Sequence, residues 1–169
     1  RLPDNECRRD EGGIRIAGFR KSDSRRNPLI TVITVVFNDV ENIEKTMMSV
    51  IIQRYQNIEY LVIDGCSTDG TVDILREYDG IIDYWVSEPD HGIYDAMNKG
   101  CRLATGSRLL FLNCGDILVG DVIDRAPIAP SYLPCKVKES DGSIRDKIVS
   151  NPYFGLPTIH QAIIFPNME

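Results

Sequence analysis

The sequence predicts an α/β protein built on a mostly parallel sheet, with helices on both faces and an irregular C-terminal part. Two observations support this prediction. Four runs of large apolar and β-branched residues recur between residues 28 and 112, as strands buried on both faces require. The segments between these runs place apolar residues at helical spacing. Alternation of this kind produces parallel strands joined by right-handed crossovers.

The first strand and helix are predicted from the run PLITVITVVFN, which begins at Pro28. Its β-branched residues are typical of a central strand. Either Asn38 or Asp39 can cap the helix that follows. The predicted apolar face of this helix consists of Val40, Ile43, Met47, Val50 and Ile51.

Three further strands and two helices complete the predicted alternation. IEYLVID (58–64) is the second strand, and the polar segment 67–71 leads into a short helix. IIDYWVS (81–87) is the third strand, and a helix ending near residue 104 follows the loop 88–92. LLFL (109–112) is the fourth strand.

The chain length of 169 residues predicts one domain. Residues 1–27 show no periodicity and are expected to form an irregular N-terminal arm, so the domain is predicted to span 28–169. Within its last part, Asp141 and Gly142 separate two segments that can form a hairpin.

The overall composition and charge restrict the kinds of partner that the chain is expected to bind. Its net charge of −6 argues against nucleic acid, which favours a basic footprint. Residues 1–27 carry eight basic and five acidic groups, which predicts either a solvated arm or contact with an anionic membrane surface, the first being favoured. No apolar run is long enough to span a membrane. The five cysteines are scattered, which predicts free thiols and a cytoplasmic protein.

Short, mostly polar segments follow three of the predicted strands and are expected to meet at one edge of the sheet. They are Phe37-Asn38, Asp64-Gly65 and the segment 113–116. The sequence contains neither GxGxxG nor a P-loop. A carboxylate after the second strand can accept hydrogen bonds from a base or ribose, and one after the fourth can hold a hard cation. These residue types suit a nucleoside diphosphate and its metal.

Five motifs together resemble the family-two glycosyltransferases of the GT-A fold, which are common in bacterial polysaccharide assembly. The resemblance covers residues 28–120 and 157–166. It implies transfer of a sugar, with inversion, from a nucleotide diphosphate sugar to a glycan or lipid-linked acceptor, with Mg²⁺ or Mn²⁺. Residues 28–120 would form the nucleotide-sugar half and residues 121–169 part of the acceptor half. The motifs are ITVVFN, IEYLVIDGCSTDGT, SEPDHGIYDAMNKG, LLFLNCGD and IHQAIIFP.

The resemblance also implies roles for individual residues. Asp116 would hold the metal, although Asn113, Gly115 and Gly65 stand where this family often has carboxylates. Weaker metal affinity without the donor is expected from this difference. The implied nucleotide-sugar-binding residues are Phe37, Asn38, Glu41, Asp64, Asp90, Gly92, Asp95, Asn98, Lys99, His160 and Gln161.

Three of these residues have simpler alternatives. Phe37 can be an ordinary core residue, Asp64 can cap the end of its strand, and Lys99 can be a solvated lysine. The general base of an inverting transfer is an Asp or Glu some way beyond the His-Gln pair in this family, and is therefore expected beyond Glu169. A non-catalytic or truncated nucleotide-sugar-binding domain is the alternative function. A sugar nucleotidyltransferase is disfavoured, because no Gly-rich basic loop follows the first strand.

Overall fold

The described residues place seven strands in one sheet with a parallel centre. The computed structural model describes residues 7–121 and 123, together with four short strands later in the chain. The strands of the sheet are β1 (Asp10–Gly12), β2 (Ile30–Val36), β3 (Ile58–Asp64), β4 (Tyr84–Ser87), β5 (Arg108–Phe111), β6 (Ser131–Tyr132) and β9 (Ile163–Pro166). Their order is β1-β4-β3-β2-β5-β9-β6, and β4, β3, β2 and β5 run parallel.

Helices cover both faces of this sheet, as the sequence predicts. Helices α1 (Ile43–Ile51) and α2 (Thr71–Glu77) pack on one face, where Met47 and Leu75 are fully buried. Helix α3 (Ile93–Leu103) packs on the other face through Ala96 and Met97. Every residue of β2 and β3 is buried, which explains why these two strands are apolar and β-branched rather than alternating. None of the described helices is long and apolar enough to cross a membrane.

The first helix begins later than predicted. Neither Asn38 nor Asp39 caps it: α1 begins at Ile43, after a turn closed by a hydrogen bond from Asn42 N to Asp39 O. The side-chain oxygens of both predicted caps have other partners. Asn38 Oδ1 accepts a hydrogen bond from Thr68 N, and Asp39 Oδ1 accepts one from Asn42 Nδ2.

The prediction that residues 1–27 are irregular throughout is wrong at β1. This strand pairs antiparallel with β4, with Asp10 opposite Ser87 and Gly12 opposite Trp85. Its sequence, DEG, has neither alternation nor β-branched residues. The free edge of β4 therefore determines the pairing, rather than any preference of the segment itself.

The hairpin predicted around Asp141-Gly142 is confirmed. Strands β7 (Cys135–Lys138) and β8 (Ile144–Lys147) pair antiparallel, with Lys138 opposite Ile144. The hairpin forms a separate two-stranded sheet, and its connecting residues lie outside the described part of the chain.

Close packing at Gly100 of α3 gives a prediction about stability. A Cβ atom at this position would lie 2.4 Å from Cγ2 of the buried Ile33. We expect Gly100→Ala to lower the free energy of unfolding by about 1–3 kcal/mol through overpacking, although alanine favours a helix. Denaturant unfolding tests this, with Gly80→Ala as the control because nothing lies within 4 Å of a Cβ there. Equal stability of the two variants would contradict the packing argument.

Candidate functional site

A cleft of about 540 Å³ opens at the carboxyl ends of the parallel strands. Segments that follow β2, β3, β4 and β5 all contribute to its walls, so the convergence predicted for the ends of β2, β3 and β5 is confirmed. Ligands of open α/β sheets bind in crevices at this position. The lining residues are Val35, Val36, Phe37, Asp39, Gly65, Pro89, Asp90, Gly92, Ile93, Ala96, Asn113 and Cys114.

Phe37 and Asp90 face each other across Gly65. The Phe37 side chain is largely exposed (64%), so its alternative assignment to the core is wrong. A Cβ atom on Gly65 would lie 2.7 Å from Asp90 Oδ2 and 3.3 Å from Phe37 Cδ2. The missing side chain at Gly65 therefore keeps the space between the ring and the carboxylate open. Asp90 Oδ1 accepts a hydrogen bond of 2.8 Å from Gly92 N, which holds the turn before α3.

Asp64 lies beside the cleft but does not line it. Its side chain is fully buried, and its carboxylate accepts hydrogen bonds from Ser67 N, Ser67 Oγ and Ser87 Oγ. The alternative given by the sequence, a carboxylate that closes the turn after its strand, is therefore confirmed. The contact with a base or ribose stays a prediction, and it would require opening this internal network.

Lys99 is neither solvated nor directed into the cleft. It is buried, with its ammonium 3.0 Å from Glu88 Oε1 and 2.7 Å from the Pro89 carbonyl oxygen. The alternative of a solvated lysine is therefore wrong. The nucleotide-sugar contact implied by the resemblance has no support in this geometry, because the lysine donates to the loop after β4 instead.

Of the described residues, Asn38, Glu41, Asp95 and Asn98 are also implied in binding but do not line the cleft. Asn38 and Glu41 are exposed, and Asn38 Oδ1 accepts a hydrogen bond from Thr68 N. Asn98 is exposed on α3. Asp95 accepts a hydrogen bond from His91 N, which lowers the pKa of its carboxyl group. His160 and Gln161 lie outside the described residues.

The loop after β5 contains two oxygen atoms that have no hydrogen-bond partner among the described residues. Asn113 Oδ1 and Asp116 Oδ2 are buried and unsatisfied. Such atoms are costly unless something else compensates them. Burial also raises the pKa of Asp116 to about 6, since no described donor stabilises its charge. Carboxylate and amide oxygens are ligands of Mg²⁺-like cations, so these residues fit the predicted metal.

Asp39 is a residue of this site that the sequence predicted only as a helix cap. It lines the cleft, and a Cβ atom on Gly115 would lie 3.8 Å from its Oδ2. Its carboxylate therefore faces the loop that contains Asn113 and Asp116. Asp39 follows closely after β2, which ends at the cleft, and this position in the sequence was a signal for its role.

The cleft is acidic where a diphosphate would need positive charge. The described lining residues include the carboxylates of Asp39 and Asp90 and no lysine or arginine. Across residues 7–121 and 123, no cluster of three or more His, Cys, Asp or Glu side chains can hold a metal by itself. Mg²⁺ commonly binds through one or two carboxylates together with substrate phosphates, which is consistent with both observations.

Four cysteines are confirmed as free thiols: Cys7, Cys66, Cys101 and Cys114. The side chain of Cys135 lies outside the described residues. Burial raises the pKa of Cys114, which lines the cleft, so this thiol is not a candidate nucleophile.

The fold and the cleft define an α/β enzyme-like domain with a ligand site at its strand ends, and the sequence comparisons identify its family. The model of glycosyl transferase family 2 matches residues 31–123. The chain belongs to this family.

The relatives include proteins named as glycosyltransferases in two bacteria. A putative teichuronic acid biosynthesis glycosyltransferase of Bacillus subtilis, TuaG, is 33% identical over 135 residues, which are 74% of this chain and 54% of the relative. An uncharacterized glycosyltransferase of Mycobacterium tuberculosis is 46% identical over 101 residues, or 59% of this chain and 38% of the relative. This chain thus spans between 38% and 54% of the length of these two relatives.

Solved structures confirm the GT-A fold. The Pyrobaculum calidifontis mannosyltransferase PcManGT, solved with GDP-Man and Mn²⁺, is 25% identical with a TM-score of 0.51. The match covers 61% of this chain and 33% of that protein. TarS of S. aureus, solved with UDP, is 21% identical with a TM-score of 0.51, covering 57% of this chain and 30% of that one.

Proposed function

We propose that this chain forms the nucleotide-sugar half of a glycosyltransferase. The enzyme would move a sugar, with inversion, from a nucleoside diphosphate sugar to a glycan or lipid-linked acceptor. Membership of glycosyl transferase family 2 supports the class of reaction. The cleft at the ends of β2 to β5 supports the location of the donor, because its walls come from the segments that contain the family-like motifs.

The observation that carries the proposal is the charge of the cleft. A diphosphate would be repelled by Asp39 and Asp90, since no described lining residue is basic. A divalent cation removes this repulsion, and the unsatisfied oxygens of Asn113 and Asp116 lie in a loop that contributes to the same cleft. We therefore assign Asp116 and Asn113 as the residues that hold Mg²⁺ or Mn²⁺. The cation would supply charge neutralisation of the diphosphate when bound.

The wall beside Gly65 suits the base of the nucleotide. Phe37 presents an exposed ring on which a base can stack, and Asp90 presents a carboxylate that can accept its N–H groups. The exposed Ile93 continues this wall at the start of α3. The mannosyltransferase PcManGT was solved with GDP-Man and Mn²⁺, which supports a nucleoside diphosphate sugar as the donor here as well.

Binding without transfer is the second candidate function. Asn113 and Gly115 stand where the family often has carboxylates, so the metal would have fewer charged ligands. The base needed to deprotonate the acceptor hydroxyl is still expected from a segment beyond the His-Gln pair. We also propose a cytoplasmic location for the enzyme, at the inner face of a membrane.

Calorimetry of UDP and GDP, each with Mn²⁺ or with a chelator, tests the proposed site. We expect at least one of the nucleotides to bind with Mn²⁺ and to bind about tenfold or more weakly with the chelator, which corresponds to 1.4 kcal/mol. Equal affinity under both conditions would remove the role of the metal. No binding of either nucleotide under both conditions would argue against the proposed function.

A further inference from the structure

We propose that Arg8 and Lys99 are positioning residues of the nucleotide-sugar cleft. They hold the carboxylate of Glu88 from two sides and thereby fix the loop 88–92, which forms one wall of the cleft. This inference rests on the function proposed above. It assigns a role to an N-terminal segment that lies outside the residues matched by the family model.

The cluster around Glu88 is buried and charged. Arg8 Nε lies 3.2 Å from Glu88 Oε2, and Lys99 Nζ lies 3.0 Å from Oε1, so each carboxylate oxygen has its own cation. The three side chains are between 5% and 9% exposed. Removing one partner from such a cluster leaves a buried charge poorly compensated, and the remaining groups must then move or take up water.

The backbone connects this cluster to the cleft. Lys99 Nζ also donates to the Pro89 carbonyl oxygen at 2.7 Å, and Glu88 N donates to the Asp64 carbonyl oxygen at 3.1 Å. Pro89, Asp90 and Gly92 line the cleft directly after Glu88. A shift of the Glu88 side chain therefore displaces residues that would contact the ligand, with only one or two residues between them.

The neighbouring Arg9 extends the same contact to the next loop. Its guanidinium donates to the Ser67 carbonyl oxygen at 2.7 Å, and its N–H donates to the Ser87 carbonyl oxygen at 2.8 Å. Ser67 in turn accepts a hydrogen bond from Asn38 N, at the end of β2. Two successive arginines thus connect the N-terminal segment to the loops after β3 and β4, which both contribute to the cleft.

Arg15 provides a matched control on the same N-terminal segment. Its guanidinium lies 3.2 Å from Glu59 Oε1, and the two side chains are 9% and 4% exposed, close to the values for Arg8 and Glu88. It also donates to the Leu103 carbonyl oxygen, at the end of α3 away from the cleft. Removing this pair should lower stability without altering the cleft.

The experiment compares Arg8→Met, Arg8→Lys and Arg15→Met with the wild-type chain, well below their melting temperatures. The ligand is UDP or GDP, whichever the wild type binds, with Mn²⁺. We expect Arg8→Met to raise the Kd by about tenfold to a hundredfold, as small misplacements of binding groups do. We expect Arg8→Lys to recover most of this loss, and Arg15→Met to stay within about twofold of the wild type while its melting temperature falls.

Hydrogen exchange gives a second measurement that needs no ligand. The amides of residues 90–92 should exchange faster in Arg8→Met than in Arg15→Met, because only the first variant releases the loop after β4. If Arg8→Met does not fold, Glu88→Gln is measured against the same expectations.

The outcomes separate this inference from the proposed function. A wild-type chain that binds neither nucleotide overturns the proposed function, and the positioning role falls with it. A wild-type chain that binds, with Arg8→Met and Arg15→Met affecting the Kd equally, overturns the positioning role alone. A larger Kd in Arg8→Met, partial recovery in Arg8→Lys and faster exchange at residues 90–92 would support it.

Discussion

Replacement of Gly65 by valine is expected to abolish most of the binding of a nucleoside diphosphate while leaving the fold intact. Already the first added carbon would lie 2.7 Å from Asp90 Oδ2 and 3.3 Å from Phe37 Cδ2, and the two methyl groups would occupy the space between them. Binding by this wall then requires Phe37 or Asp90 to move away. We expect the Kd measured by calorimetry to rise by at least about a hundredfold, corresponding to roughly 2.7 kcal/mol.

Gly80→Val is the matched control for this substitution. Gly80 is exposed, and nothing lies within 4 Å of a Cβ atom there. The Gly80→Val variant should bind nucleotide like the wild type, and both variants should retain a cooperative unfolding transition. A Gly65→Val variant that binds as tightly as Gly80→Val would show that the base does not lie between Phe37 and Asp90.

Asp116→Asn is expected to remove the dependence of nucleotide binding on the metal. The substitution keeps the shape of the side chain but removes the one carboxylate of the loop 113–116. Loss of groups that only support a metal ligand already costs about 10–100-fold in affinity. We therefore expect the Kd measured with Mn²⁺ to rise by up to about a hundredfold, and the Kd measured with a chelator to change little. Asp121→Asn is the control, since Asp121 instead pairs with Arg54 at the surface.

The pH dependence provides a sharper test of the same residue. Burial raises the pKa of Asp116 to about 6, and a cation binds only the ionised carboxylate. Protons therefore compete with the metal as the pH falls from 7 to 5, where only about one tenth of the group is ionised without metal. The gain in affinity from Mn²⁺ should fall by about tenfold over this range in the wild type. A gain that stays constant in the wild type, or falls equally in Asp116→Asn, would assign the metal to other residues.

The central strands could be predicted because their burial leaves a direct pattern in the sequence. In β2 and β3 every side chain is buried, so the residues have to be apolar or hydrogen-bonded within the sheet, as Thr31 is to Glu59. The strand β1 left no such pattern, because its pairing depends on the exposed edge of β4. The start of α1 was predicted too early, because the side-chain oxygens of the predicted caps bind Thr68 N and Asn42 Nδ2 instead of the helix backbone.

The candidate site could likewise be predicted only in part from the sequence. The convergence of strand ends pointed to Phe37, and the family resemblance pointed to Asp90 and Gly92; all three line the cleft. The sequence did not show that the side chains of Asp64 and Lys99 are buried and bonded to other groups of the protein. Nothing in the sequence marks the serines that donate hydrogen bonds to Asp64, or the carboxylate that pairs with Lys99. Only the fold brings these residues together.

The three-residue strand β1 also protects the protein from association with itself. Without it, the backbone of β4 would offer unpaired N–H and C=O groups next to the large aromatic residues Tyr84 and Trp85. Such an edge is a template for strands of other molecules. β1 covers it and ends at once at Gly13, whose φ of +101° turns the chain away. A chain shortened to the matched residues 31–123 would lose this cover, and we expect it to aggregate more readily than the longer chain.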